Sequence, residues 1–357
     1  MKTYHIYKTN CFNSSRVLLQ SRWDFCSIFM HEISKKSCRG IGSVSEIQLS
    51  VKNLLKALIS SRKDNKTFVF HAQSSLPFLF TCRIFLFFFR LSNVNLVYDV
   101  HDFHERKKDG GFFRQLRYYW FRYEILRCLE RFAVRSPKVS VITVSGGLAK
   151  MISESYGCPI PKVVMSAHGM PIETCKVAEH STREFEAVYF GIAEHAPPID
   201  VVQELICNGI SLHIYGRGMS EGFYPVEEKY AHLISYLGEY DPADLSFLMK
   251  YRYLILYKPE VLSVNYKVAL PNKMFQGMAA GLFFVISPNF EEMKNVLSVV
   301  PGSTYVLSNK KEIVGAIQRF EELKYVDYVE SLVRCLSYLV SEARSNYLSV
   351  TKGLVLR

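Results

Sequence analysis

Short apolar or β-branched runs alternate with longer stretches of helical apolar spacing along most of the chain, the pattern of βαβ units and parallel sheets. In the first half the runs predict strands near Thr3–Tyr7, Ser43–Leu49, Thr67–His71, Asn95–Val100, Val139–Val144 and Lys162–Ser166. Helical spacing fills Ser14–Met30, Val51–Ser61, Leu76–Ser92, Phe113–Val134 and Gly147–Tyr156. From Pro171 to Glu184 the sequence turns polar, loses any periodic face and reads as a linker. A second set of strands is predicted near Ala187–Phe190, Leu212–Tyr215, Leu233–Leu237, Tyr253–Leu256, Phe283–Ile286 and Tyr305–Leu307. After Lys311 the pattern stays helical, as two helices meeting near Tyr325. The expected organisation is a first domain over 1–171, a linker over 172–184, a second domain over 185–340 and a terminal helix over 341–357 that crosses back to the first. Ligands of such doubly wound α/β domains bind at the carboxyl ends of the strands.

Composition sharpens this picture. At 357 residues the chain is too long for one core of about 150 residues, and 49% apolar with 22% charged residues excludes a disordered chain. The net charge of +11 is unevenly spread: residues 1–170 hold 26 Lys/Arg against 11 Asp/Glu, and residues 171–357 hold 18 against 22. The first domain is therefore expected to meet an anionic surface. Between Arg106 and Arg135 the basic residues are interrupted by only Asp109, Glu124 and Glu130 and are mixed with aromatic rings. That mixture suits an anionic lipid interface. Single-stranded nucleic acid attracts similar segments, but no nucleic-acid motif accompanies it, and no nucleic-acid partner is expected. The apolar segment Leu76–Ser92 has 17 residues, contains Arg83 and Arg90, and falls short of the roughly 20 needed to span a bilayer. A helix packed on a sheet with its arginines reaching solvent, and a helix lying in the membrane interface, both fit it. Nine cysteines without a CxxC pair exclude a zinc finger or a disulfide framework. The N-terminus lacks an apolar signal stretch, so a cytoplasmic location is expected.

The stretch "LPNKMFQGMAAGLFFVIS", Leu270 to Ser287, carries the clearest candidate chemistry. Pro271 suits a helix start, placing the first turn near Asn272. The free N–H groups of that turn favour phosphate oxygens. A lysine in the first turn is unfavourable on its own, so Lys273 is expected to meet a bound anion. Gln276 lies one turn on, and the small residues of "GMAAG" let a ligand or a neighbouring strand approach closely.

These residues resemble the donor-site helix of GT-B glycosyltransferases, in particular a bacterial, glycosyltransferase family 4-like group with the motif P-x-K-x-x-E-Y-x-A-x-G-x-P-V; Pro271, Lys273, Ala279 and Gly281 match in register. "VYDVHDFHE" (Val97–Glu105) is similar to the strand and loop that bring a His-Asp or His-Glu pair to the cleft, and the segments through Asn289 follow the family's order. The resemblance implies an α/β, GT-B architecture of two doubly wound Rossmann-like domains facing a central cleft. The chain departs from the pattern at Gln276, where the family has a ribose-binding glutamate, at Val268, where many members have a second acidic residue, and at Phe283, where a proline is usual.

The resemblance implies His101 and Asp102 as the catalytic pair, while Asp99, inside the strand, reads as structural. The first strand of the second domain lacks the Arg or Lys that the family often sets on the diphosphate, so Arg217 and Lys273 are expected to take that place with Asn272 at the helix start. It places Gln276 on the ribose, and His104, Glu105, Ser145, His168 and Gly191 as further cleft residues. No metal and no resident cofactor are expected; the nucleotide diphosphate sugar is a substrate. The function implied is transfer of a sugar to a saccharide acceptor, taken as lipid-linked, in cell-surface polysaccharide biosynthesis, with the chain peripheral on the inner face of the membrane. A catalytically degenerate GT-B binding subunit and a nucleotide-sugar epimerase are the alternatives.

Overall fold

The computed structural model describes residues 1–8, 15–24, 26–31, 45–60, 64–103, 121–167, 183–240, 244–258, 263–268, 270–300, 302, 304–321 and 325–352. Two compact units emerge: Met1–Ser166 with Glu342–Arg357, and Ala167–Ser341. The first contains β1 (Lys2–Ile6), α1 (Ser15–Ser21), β2 (Ser27–His31), β3 (Ser45–Gln48), α2 (Val51–Ile59), β4 (Lys66–His71), α3 (Leu76–Phe89), β5 (Val94–Val100), α4 (Phe121–Arg135), β6 (Val139–Thr143), α5 (Gly146–Tyr156) and β7 (Lys162–Val163). The second contains β8 (Phe185–Ile192), α6 (Ile199–Cys207), β9 (Leu212–Arg217), β10 (Ile234–Tyr236), β11 (Tyr251–Leu256), α7 (Val264–Val268), α8 (Asn272–Ala279), β12 (Phe283–Ile286), α9 (Glu291–Leu297), β13 (Thr304–Val306) and α10 (Ile313–Glu321). The last helix, α11 (Tyr325–Thr351), begins among the residues of the second unit and, from Glu342, belongs to the first.

Each unit is built on one sheet whose described pairings are all parallel, in the order β3-β2-β1-β4-β5-β6-β7 and β10-β9-β8-β11-β12-β13. Strand order therefore reverses between β1 and β4 in one unit and between β8 and β11 in the other. At such a reversal the connections leave in opposite directions and open a crevice beyond the carboxyl ends of the strands. Strand β12 (FFVI) is wholly buried and apolar, as a strand covered on both faces should be, and β4 is buried along its length with polar residues at its ends flanking Phe68–Phe70.

The segment Ser14–Met30, expected as one helix, divides into α1 and β2. Helix α1 stops at Ser21, and "SIFMH" pairs in parallel with β1 through Thr3↔Ser27 and His5↔Phe29. A short apolar run fits both periodicities, and the pairing with β1 decides it. The expected linker lies almost wholly in residues 168–182, outside the described residues, as do positions 104–120 of the basic segment.

In the first unit Val69, Val97, Ile142 and Val164 form a core closed by Ala343, Tyr347 and Val350 of α11. Polar ties hold that helix end in place: Lys162 Nζ donates to Ser349 Oγ at 2.7 Å, and Thr67 Oγ1 donates to the carbonyl of Thr351 at 3.0 Å. In the second unit Phe283 stacks on Phe320 and Tyr328, with centroids 4.5 and 4.3 Å apart. The phenyl ring that stands at the family's proline position is thus a core anchor. Gly277 of α8 lies against the sheet, where an added Cβ would meet Leu254 Cδ2 at 2.7 Å and Phe284 Cε1 at 3.0 Å.

That contact gives a direct contrast. Gly277→Ala lowers stability by about 1–3 kcal/mol through overpacking. Gly315→Ala in α10, where a Cβ meets nothing within 4 Å, raises it by roughly 0.5–1 kcal/mol through helix propensity. Denaturant midpoints of the two variants against the parent chain check both.

Candidate functional site

Both strand-order reversals carry a cluster of chemically active side chains. In the first unit the cluster is centred on Asp99, at the end of β5, in register with His71 of β4. Its carboxylate is fully buried. It accepts from Arg16 through Nε and Nη2, from Gln20 Nε2 at 2.9 Å, from His71 Nδ1 at 3.0 Å and from His101 Nε2 at 3.2 Å. Burial on its own would raise the Asp99 pKa. The Arg16 guanidinium, followed by His101 and His71, reverses this and holds it well below the usual carboxylate range.

The ionised acceptor dictates the tautomers around it. His71 donates its Nδ1–H to Asp99, and burial pulls its pKa down to about 3, so at neutral pH its Nε2 is an acceptor. His5 Nδ1 fills that acceptor at 3.0 Å, and His5 Nε2 meets Asp24 Oδ2 at 2.7 Å. The last contact needs one proton held between two groups that would otherwise both accept. Tyr347 of α11 donates to the same Asp24 carboxylate at 3.1 Å. At the other end, His101 turns Nε2 to Asp99, which leaves Nδ1 on the far side of a ring whose side chain is 17% exposed.

His101 is therefore paired with Asp99. Asp102, the partner expected from the sequence, is exposed, and its backbone carbonyl accepts from Gln73 Nε2 at 3.3 Å. The strand position that marked Asp99 as structural is what presents it to His101. Ser145 is a buried N-cap of α5, its Oγ accepting from Leu148 N at 3.2 Å. His104, Glu105 and His168 lie outside the described residues. The ligand atoms of His71, Asp99 and His101 lie within 4.8 Å of one another. A cation there would compete with Arg16 for the same carboxylate oxygens, so this donor set suits a charge relay better than a metal.

In the second unit the centre is Lys273, in the first turn of α8. Pro271 is the N-cap, in extended conformation, so the helix starts at Asn272. The Lys273 ammonium lies 4.3 Å from the Tyr189 ring centroid, 3.0 Å from its hydroxyl, and over Gly191, where a Cβ would sit 2.6 Å from Nζ. Gly191 and Gly216 are register partners at the ends of β8 and β9. Both have strongly positive φ, and a Cβ on Gly216 would meet the Gly191 carbonyl at 1.6 Å. Only glycine fits that approach, which leaves the space for the ammonium.

Burial, then the nearby Lys258, pulls the Lys273 pKa down to about 7. Lys258 follows β11, donates from Nζ to the Glu194 carbonyl and sits 6.0 Å from the Tyr266 ring centroid. Burial, followed by Lys273, also lowers the pKa of His195, which is bonded to Tyr266. Among the described residues no carboxylate pairs with either lysine. Two lysines near enough for the charge of Lys258 to depress the Lys273 pKa, with no carboxylate paired to either among the described residues, suit an anion with more than one charge.

Lys258 was missed in the sequence; its signal is a lysine directly after the apolar run of β11, next to the strand-order reversal. Arg217, expected on the diphosphate, is 80% exposed at the end of β9 and pairs with Glu239 at 3.3 Å. Gln276 is buried in α8, at 6% exposure, and Asn272 opens that helix.

No family model and no curated protein matches the sequence. Solved structures do. The chain is similar to Anabaena HepE in complex with UDP and glucose (TM-score 0.61, 11% identity, covering 99% of this chain and 98% of that one). It is similar to a Rickettsia africae glycosyltransferase (0.62, 10%, 100% and 99%). It is also similar to WaaG, a glycosyltransferase involved in lipopolysaccharide biosynthesis (0.57, 10%, 98% and 99%). The fold is the GT-B fold of these enzymes: an α/β protein with two parallel, doubly wound sheets.

Two predictions follow from the Asp99 cluster. Asp99→Asn leaves the Arg16 charge buried without its partner and costs about 3–5 kcal/mol of stability, whereas Asp102→Asn changes it by less than about 0.5 kcal/mol; urea unfolding distinguishes them. His71 binds a proton near 6.5 in the unfolded chain but only near about 3 when folded. Between those values the unfolded state holds more protons, so stability falls as the pH is lowered through that window. His71→Gln flattens that limb in unfolding curves measured across the pH range.

Proposed function

We propose that the chain is a glycosyltransferase that moves a sugar from a nucleotide diphosphate sugar to a saccharide hydroxyl. The observation that carries this reading is the unpaired Lys258–Lys273 couple at the β8/β11 reversal of a GT-B fold. As the anomeric bond breaks, its electron pair goes to the departing nucleoside diphosphate, and the two ammonium groups with the first turn of α8 stabilise the charge that develops there. Gln276 bonds the ribose hydroxyls as a neutral group, without charge-assisted strength. The acceptor hydroxyl attacks the anomeric carbon while His101 Nδ1 takes its proton. Asp99 holds the imidazole by the opposite nitrogen and stabilises the imidazolium that forms.

That neighbours of the same fold bind UDP and UDP-glucose, in the case of HepE, and serve lipopolysaccharide biosynthesis, in the case of WaaG, supports a uridine nucleotide donor and a lipid-linked acceptor in cell-surface polysaccharide assembly. The chain then works peripherally at the cytoplasmic membrane face. No described helix is long and apolar enough to cross a membrane. Gln276 in place of glutamate favours a second reading, a binding subunit without chemistry.

The test is a thermal-shift screen with UDP, GDP, TDP and CMP. The matching nucleotide, at 100 times its Kd, adds about 2.7 kcal/mol of stability. No response to any of them supports the binding-subunit reading, and an isomer formed from donor alone supports an epimerase. Lys273 gives a second measurement. With its pKa near about 7, the free lysine is mostly neutral at pH 8, and a bound diphosphate recharges it. Calorimetric titrations in buffers of different ionisation enthalpy should show net proton uptake at pH 8, absent in Lys273→Met.

A further inference from the structure

The core-facing positions of α3 end at Cys82, yet after Arg83 an apolar run of six residues, Ile84 to Phe89, follows. Leu76, Leu79 and Cys82 are buried; Ile84, Phe87, Phe88 and Phe89 are exposed, the three phenylalanines at 74, 72 and 52%. A helix end with three large rings in water is unfavourable unless something covers them. Arg83 and Phe87 share a helix face, and Arg90 follows on the same face at the C-cap. Phe80 of α3 meets Phe132 of α4 edge to face, with centroids 5.4 Å apart. Beside that contact is a shallow depression of about 450 Å³ lined by Arg83, Arg131, Arg135, Phe132 and Ser136. Among the described residues no carboxylate pairs with Arg83, Arg90 or Arg131. Glu130, the acidic residue of α4 nearest the depression in sequence, is turned inward onto the hydroxyls of Tyr98 and Tyr156 at 2.7 and 2.6 Å. The Arg83 Nε is buried without a hydrogen-bond partner.

We infer that this face of the first unit is a docking surface for an anionic phospholipid membrane, with a lipid phosphate in the Arg83–Arg131–Arg135 depression and Phe87 and Phe88 inserted at the headgroup boundary. The charge favours this occupant over a neutral apolar partner. Rings beside unpaired guanidinium groups match a surface that is apolar below and negatively charged above. The inference names the surface behind the membrane location proposed above but is independent of the sugar chemistry, because it uses none of the site residues.

The experiment is co-sedimentation of the full chain with phosphatidylcholine vesicles, with and without phosphatidylglycerol. Binding is expected only with phosphatidylglycerol and should weaken with added salt. Arg83→Gln and Arg131→Gln should each lower the affinity roughly five-fold, and Phe87→Ser/Phe88→Ser should lower it further. All four positions lie outside the donor and base clusters, so thermal melting and the nucleotide-induced shift should stay at parent values. This separates failure of the docking surface from failure of the transferase reading. Equal binding to neutral vesicles, or parent-like binding by the arginine and phenylalanine variants, overturns the inference. So does inorganic phosphate that stabilises the chain but leaves vesicle binding dependent on neither phenylalanine, because the depression is then a soluble-anion site.

Discussion

Asp99 sits fully buried at the end of β5 with its charge intact, and the first unit is arranged around keeping it so. A carboxylate in such a place either takes up a proton or is surrounded by donors. Here the donors come from α1, through Arg16 and Gln20, from β4, through His71, and from the residue just past β5, His101. Because the acceptor is fixed, each imidazole has one permitted orientation. The far ring nitrogen of His101 is positioned by a charge that never meets solvent.

The second unit solves the opposite electrostatic problem on the same topology. Its half-buried charge is a cation with no carboxylate partner among the described residues, cushioned by the Tyr189 ring and admitted by two glycines. One reversal of strand order holds a negative charge fully compensated by protein groups, and the other holds positive charge left uncompensated. The first is a finished arrangement that orients a base. The second is incomplete until an anion arrives, which is why its lysine is held close to neutrality at physiological pH.

Much of the fold was legible because parallel sheets impose a simple rhythm of apolar runs and helical spacing, and most predicted strands lie where the chain forms them. The exception, β2, was hidden because five residues of mixed apolar character satisfy both periods, and only the pairing with β1 resolves them. At the site, Lys273 was legible as a charge out of place in a helix's first turn. Lys258 was not, because nothing local distinguishes it from any surface lysine; it matters through β11 lying beside β8. The pairing of His101 with Asp99 was equally hidden. Residues two apart in a strand point to the same face, but whether that face is buried against Arg16, 83 residues away, is a property of the tertiary structure alone.

Helix α11 has a consequence for how the polypeptide comes into being. Ala343, Tyr347 and Val350 complete a core whose other members, Val69, Val97, Ile142 and Val164, are translated long before them. As the chain leaves the ribosome, the amino-terminal sheet waits with that apolar patch uncovered while the whole second unit is synthesised and folds. The half translated first is therefore the half finished last.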